Sequence, residues 1–307
     1  MIVHTDIQNL PEFKNAVITA GVFDGVHTGH RQIIALMKSE AEKIGGETVL
    51  ITFDPHPALI LQSKADLQLL NTLDEKTALL KEQVINHLIV IPFTQHFSKQ
   101  TAEEYVDDFL VNNFHPHAII IGHDHRFGKN RSGDFALLQQ KAKEHNFIVK
   151  ETEAYLLENV NVSSTHIRKA LLNSDIEMAN KFLGYDYFFT GTVVLGNKLG
   201  RTIGYPTANI VLNEKAKLVP GNAVYAVHVT HDNKLYKGMM NIGIRPTVAG
   251  INRVVEVNIF DFDAEIYGDN LTVSVKNKLR SEVKFDTLNE LKNQLGRDKE
   301  AALKALN

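Results

Sequence analysis

Apolar positions along this chain follow two regimes that change near residue 183. Before it, short and nearly continuous apolar runs alternate with segments of helical period. Residues 16–20, 48–53, 88–91 and 118–121 lack polar alternation, as parallel strands covered on both faces should. Residues 31–44 read as a helix, and Thr72-x-x-Glu75 and Thr101-x-x-Glu104 fit capping boxes ahead of amphipathic runs. This alternation predicts a doubly wound α/β domain whose ligands bind beyond the C-terminal strand ends. After Tyr185 the runs 192–195, 224–229, 237–242, 254–260 and 271–275 are strand-like and separated by glycine, asparagine and proline clusters. They predict a small barrel or sandwich. A last helix, opened by Thr287-x-x-Glu290, runs towards Leu306. The expected domains are therefore 1–183 and 184–307.

Composition narrows the class. A length of 307 residues suits two domains, and 44% hydrophobic residues suffice for two packed cores. A formal charge of −3 makes no electrostatic case for nucleic acid or an anionic membrane. The chain has no cysteine, which excludes disulfides, thiolate metal sites and cysteine nucleophiles. Residues 1–6 lack signal-peptide features, and no apolar run approaches the roughly 20 residues that span a bilayer. The expectation is a soluble cytoplasmic protein.

The candidate chemistry of the first half centres on residues 21–30, Gly-Val-Phe-Asp-Gly-Val-His-Thr-Gly-His, between a strand and a helix. The first N–H groups of a helix are unpaired and its dipole favours anions, so such a junction suits phosphate. Gly29 permits close approach of a polyphosphate, and His27 and His30 can donate to its oxygens; a turn with two solvated histidines is the plain alternative. Three further stretches could meet this loop. Pro55 and Pro57 stiffen a turn that presents His56. Residues 121–134 offer Asp124 with Arg126, Lys129 and Arg131, or simply a solvated basic loop. Ser163, Ser164 and Thr165 can cap a helix and bind phosphate together, with Arg168 one turn on.

The order Gly-x-Phe-Asp-Gly-Val-His-x-Gly-His, Thr-Phe-Asp-Pro-His-Pro, Gly-x-Asp-x-Arg-Phe-Gly and Ser-Ser-Thr-x-Ile-Arg resembles the adenylyltransferase module of bacterial bifunctional riboflavin kinase/FAD synthetases. The His-x-Gly-His loop alone is widespread; the set of four is far more specific. The resemblance implies a Rossmann-like nucleotidylyltransferase domain that transfers AMP from ATP to FMN, giving FAD and pyrophosphate. It implies that His27 and His30 serve the phosphates, that Ser164, Thr165 and Arg168 hold the triphosphate, and that Gly21, Phe23, Asp24, Gly29, His56, Asp124, Arg126 and Ser163 belong to the ATP and flavin site. FMN brings an anionic nucleophile, so no strong base is required; catalysis is in-line positioning and charge stabilisation. Magnesium is expected on the polyphosphate, held mostly by substrate oxygens and water. His125 departs from the family, which commonly has phenylalanine there.

In the second half, Gly196, Gly200 and Gly204 form a loop with Lys198 and Arg201, without the Gly-Lys-Ser/Thr ending of a Walker A loop. Pro206-Thr-Ala-Asn209 places a hydroxyl and an amide oxygen two residues apart; in extended backbone they share a face and can reach one magnesium ion. Glu256 interrupts an apolar strand and is either solvent-facing or chemical. Gly-x-Val-Val-x-Gly-x-x-x-Gly-Arg-x-x-Gly-Tyr-Pro-Thr-Ala-Asn, Asn241-Ile-Gly-x-Arg245-Pro-Thr, Glu-Val-x-Ile-Phe-Asp-Phe and Arg280-Ser-Glu-Val-Lys-Phe285 resemble the riboflavin kinase module of the same proteins. That resemblance implies a six-stranded barrel with a terminal helix. It implies Thr207 and Asn209 on the nucleotide-bound magnesium, Glu256 as acceptor of the ribityl hydroxyl proton, and Gly196, Gly200, Arg201, Gly204, Pro206, Asn241 and Arg245 as ligand-site residues. Riboflavin presents a neutral alcohol, so a positioned carboxylate makes chemical sense. Ala223 departs from a family glycine; if that position needed positive φ, alanine would strain it.

The leading expectation is a bifunctional enzyme with riboflavin, FMN, FAD and ATP as small-molecule partners, no nucleic acid and no membrane; a weak homo-oligomer stays open. The rivals are a monofunctional FMN adenylyltransferase with an inactive or flavin-binding barrel, a flavin-binding regulatory protein, and a tRNA-directed enzyme, which would want a basic surface.

Overall fold

The computed structural model describes residues 1–61, 67–153, 155–157, 160–196, 199–247 and 250–307; the side chains of residues 199, 245–247 and 250–252 lie outside that description. By packing, the chain divides into two compact units, Met1–Ser163 and Ser164–Asn307.

The first unit is built on six parallel strands, β1 (Ile2–His4), β2 (Val17–Ala20), β3 (Thr48–Asp54), β4 (His87–Pro92), β5 (Ala118–Ile121) and β6 (Ile148–Glu151), in the order β1-β4-β3-β2-β5-β6. The four predicted runs are the buried centre. The edge strands β1 and β6 are largely exposed, so they lack the apolar signature that marked the others. Strand order reverses between β2 and β5, which opens a crevice beyond their C-terminal ends. The loops following both strands emerge there. Both predicted capping boxes form, with Thr72 accepting from the Glu75 N–H at 3.2 Å and Thr101 from the Glu104 N–H at 3.1 Å. The helix Thr28–Ile44 buries Ile34, Met37 and Ala41 and ends at Gly45 in left-handed backbone.

A two-stranded hairpin, β7 (Leu156–Leu157) and β8 (Val160–Asn161), precedes the second unit. That unit opens with the helices Ser164–Leu172 and Ile176–Leu183. The second is tied to the barrel by Asn180, whose Nδ2 donates to the Val275 carbonyl at 3.0 Å while its Oδ1 accepts the Tyr187 N–H at 2.8 Å. The barrel closes antiparallel from β9 (Phe188–Val194), β10 (Ala208–Leu212), β11 (Ala223–His231), β12 (Lys234–Thr247), β13 (Gly250–Ile259) and β14 (Asn270–Arg280), in the order β10-β13-β12-β11-β14-β9. The terminal helix Leu288–Ala305 packs Ala302 and Leu306 against Ala226, Met239 and Phe260. A fork from Arg280 to the buried Asp298 carboxylate, at 2.7 to 3.1 Å, fastens it to β14. No helix among the described residues is long and apolar enough to cross a membrane.

Candidate active sites

In the first unit the histidine loop leaves β2 at the sheet's switch point. His27 is the N-cap of the helix Thr28–Ile44: its Nδ1 accepts the His30 N–H at 3.3 Å. That bond leaves the His27 proton on Nε2, which makes Nε2 a donor. The two imidazoles stack with centroids 3.6 Å apart and planes 16° from parallel, and Phe23 lies 4.9 Å from His30 on a tilted ring. Burial, then the neighbouring His27 and Lys76, hold His30 well below the ordinary histidine range, so it is a neutral imidazole at pH 7. Gly29 is explained locally: a Cβ there would lie 3.3 Å from the His27 ring and 3.8 Å from the Val162 carbonyl. The chain entering Ser163 therefore runs past this loop.

Asp24 is buried and accepts the N–H groups of Leu70 and Asn71 at 3.0 to 3.2 Å, which ties the loop to the segment before the helix Leu73–Glu82. His56 caps a short helix, its Nδ1 accepting the Ala58 N–H at 3.0 Å. Asp124 is exposed on the loop after β5, and Arg126 pairs with Asp134 at 3.0 Å. Ser164, Thr165 and Arg168 lie on the helix Ser164–Leu172 in the second unit.

In the barrel, register assembles the second set. Asn209 on β10 is the partner of Glu256 on β13, and Glu256 is the partner of Asn241 on β12. Their neighbours Ile210, Val255, Val257, Met240 and Ile242 are buried, whereas Asn209, Glu256 and Asn241 are half-buried on the other face. The period-two geometry of strands thus brings three separated polar residues into one row. Gly196 abuts Asn209, because a Cβ at 196 would overlap the Asn209 carboxamide. Gly200 accepts the Tyr205 N–H at 2.8 Å, leaving no room for a side chain, and Gly204 has φ +88°. Arg201 and Thr207 are exposed, with Thr207 immediately before β10. The Pro206 carbonyl accepts from Asn258 Nδ2 at 2.6 Å. The side chain of Arg245 lies outside the described residues, as does Lys198.

Among the described residues no cluster of three or more histidines and carboxylates is placed to hold a metal. Thr207 and Asn209 offer neutral oxygens, with the Glu256 carboxylate on the adjacent strand. Such a hard donor set suits magnesium that keeps phosphate and water ligands.

A family model described as FAD synthetase matches residues 10–166, and one described as riboflavin kinase matches residues 183–306. The bifunctional riboflavin kinase/FMN adenylyltransferase of Haemophilus influenzae is 37% identical over 290 residues, 94% of each chain. Its namesake from Bacillus subtilis is 34% identical over 300 residues, covering 95% of this chain and 93% of that one. The chain belongs to the family of bifunctional riboflavin kinase/FMN adenylyltransferases. A crystal structure of a Streptococcus pneumoniae protein named for macrolide efflux has the same fold, with a TM-score of 0.89, 30% identity and 98% of both chains covered.

The two departures from the family pattern have local explanations. His125 stacks on Phe127 at 5.8 Å, and Phe127 on Tyr105 at 5.2 Å, so a flat ring still ends this pile. Ala223 is a buried strand residue paired with Ile242, outside the left-handed region, so the strain expected of a positive φ does not arise. Asn258 and Lys76, buried and bonded to the carbonyls of Pro206 and Val22 beside the candidate residues, are polar partners that sequence reasoning missed. Asn258 sits two positions from Glu256 in an alternating strand, and a buried lysine shows itself only in three dimensions.

Proposed function

We propose that residues 1–183 adenylylate FMN and residues 184–307 phosphorylate riboflavin, both with ATP, in the cytoplasm. The chain is a bifunctional enzyme of flavin cofactor synthesis, a riboflavin kinase and an FMN adenylyltransferase. The observation that carries the division of labour is that each half has its own polar constellation. One is a stacked histidine pair at a helix N-terminus. The other is a carboxylate flanked by two asparagines on a barrel wall.

For adenylyl transfer, a phosphate oxygen of FMN attacks the α-phosphorus of ATP and pyrophosphate leaves. No proton need be removed from the nucleophile. Nε2–H of His27 and the neutral His30 donate to phosphate oxygens beside the helix N-terminus, where charge develops. Within the first unit, Phe23, His56, Asp124, Arg126 and Ser163 complete the nucleotide and flavin surroundings.

For phosphorylation, Glu256 accepts the ribityl hydroxyl proton as that oxygen attacks the γ-phosphorus and ADP leaves. Thr207 and Asn209 would hold magnesium, which would supply positive charge to neutralise the phosphates. Gly196 keeps space for the Asn209 amide, and Asn241 borders Glu256 on its other side. Variants at His30 and Glu256 test the assignment: each should silence one reaction and spare the other.

A further inference from the structure

Lys76 is a buried cation, 5% exposed on the helix Leu73–Glu82, and the chemistry assigned to the first unit makes no use of it. Its Nζ donates to the Val22 carbonyl at 2.9 Å and reaches Thr52 Oγ1 at 3.4 Å; the Thr52 hydroxyl donates to the same carbonyl at 3.0 Å. From Val22 the chain enters left-handed backbone at Phe23 (φ 51°), Gly25 (φ 91°) and Val26 (φ 35°). A bulky or β-branched residue at positive φ is a true outlier, and it persists only where the surroundings over-determine it. Here Phe23 and Val26 are buried, and Asp24 is bonded to the Leu70 and Asn71 amides. The ammonium on Val22 secures the entry of the loop. Burying a lysine is costly, and Asp24 and Asp54 lie close enough to favour its charge against the lowering effect of burial.

We propose that Lys76 is a positioning residue for FMN adenylylation: its buried ammonium holds the Val22 carbonyl and thereby fixes the path of the strained loop that carries His27 and His30. This inference rests on reading that loop as the adenylyl-transfer site. The same ammonium provides a signature that a merely structural residue would lack. The groups acting on His30 are the stacked His27 and the Lys76 charge, with Asp24 and Asp54 beside Lys76 and Arg31 next along the helix. Loss of the Lys76 charge should therefore make His30 easier to protonate.

The test uses the full chain with Lys76→Met and Lys76→Arg. FAD formation from supplied FMN and ATP, riboflavin phosphorylation, and the NMR titration of His30, assigned by its absence in His30→Ala, are measured on each. In Lys76→Met, kcat for FAD formation should fall by about 100-fold, the scale of a misplaced reacting group. Phosphorylation should be retained and the His30 midpoint should move to higher pH. Lys76→Arg should recover part of both effects. If Lys76→Met does not fold, Lys76→Gln, which is polar but uncharged and one bond too short to reach the Val22 carbonyl, should show the same two changes. A folded variant with unchanged kcat, or one with lowered kcat and an unmoved His30 midpoint, overturns the proposal. If the wild-type chain forms no FAD from FMN, the reading of the loop itself fails, and the inference with it.

Discussion

Asn258 donates to the Pro206 carbonyl at 2.6 Å, and this bond joins the strand that carries Glu256 to the segment that carries Thr207. Asn258 is on β13, two residues beyond Glu256 and on the same face; Pro206 immediately precedes Thr207. The donor is buried, so the bond is well shielded from water. Asn258→Asp keeps the shape but sets an acceptor against an acceptor. It should lower riboflavin phosphorylation by about 10-fold or more through misplacement of Thr207, with FAD formation from FMN unchanged. Steady-state rates for the two reactions, measured separately, check this.

His30→Ala should reduce FAD formation from FMN by about 10- to 1000-fold, the range for removing a donor to developing charge. Riboflavin phosphorylation should persist. Equal loss of both reactions in a folded variant would mark His30 as structural.

Glu256→Gln retains size and hydrogen bonding but cannot take a proton at neutral pH. Riboflavin phosphorylation should fall by about 100-fold or more, and FAD formation from supplied FMN should continue. Thr207 and Asn209 variants should lose phosphorylation too, with partial recovery at high magnesium. Full kinase turnover in Glu256→Gln would remove it as the base.

His125 should make the first unit acid-sensitive. Burial, and then the Arg131 charge against the opposing Asp124, lower its pKa to about 4. Between about 4 and the ordinary histidine value of about 6.5, the unfolded chain binds a proton that the folded chain does not. Stability therefore declines as pH falls through that window. His125→Phe should flatten the decline, read as the thermal midpoint against pH. An unaltered slope would show that His125 is not its source.

Much of this was legible in the sequence because it was local or periodic. The four central strands of the first sheet announced themselves by burial on both faces, whereas β1 and β6, exposed at the edges, did not. The predicted helix at residues 31–44 begins at Thr28, because His27 itself supplies the cap. Gly29, read as room for phosphate, also makes room for the His27 ring. What the sequence concealed were partners brought together by the fold. The Lys76 bond to Val22 and the Asn258 bond to Pro206 each cross about fifty residues. No spacing rule links such positions; only strand order and register do.

The central claim is that one chain performs both reactions, and one incubation tests it most directly. Purified protein is given riboflavin, ATP and magnesium, and FMN and FAD are followed separately by chromatography over time. FMN should appear first and FAD after it, with FAD formed at once when FMN is supplied instead. FAD from FMN without any FMN from riboflavin, oxidised or reduced, would contradict the bifunctional account and leave an adenylyltransferase with a silent barrel.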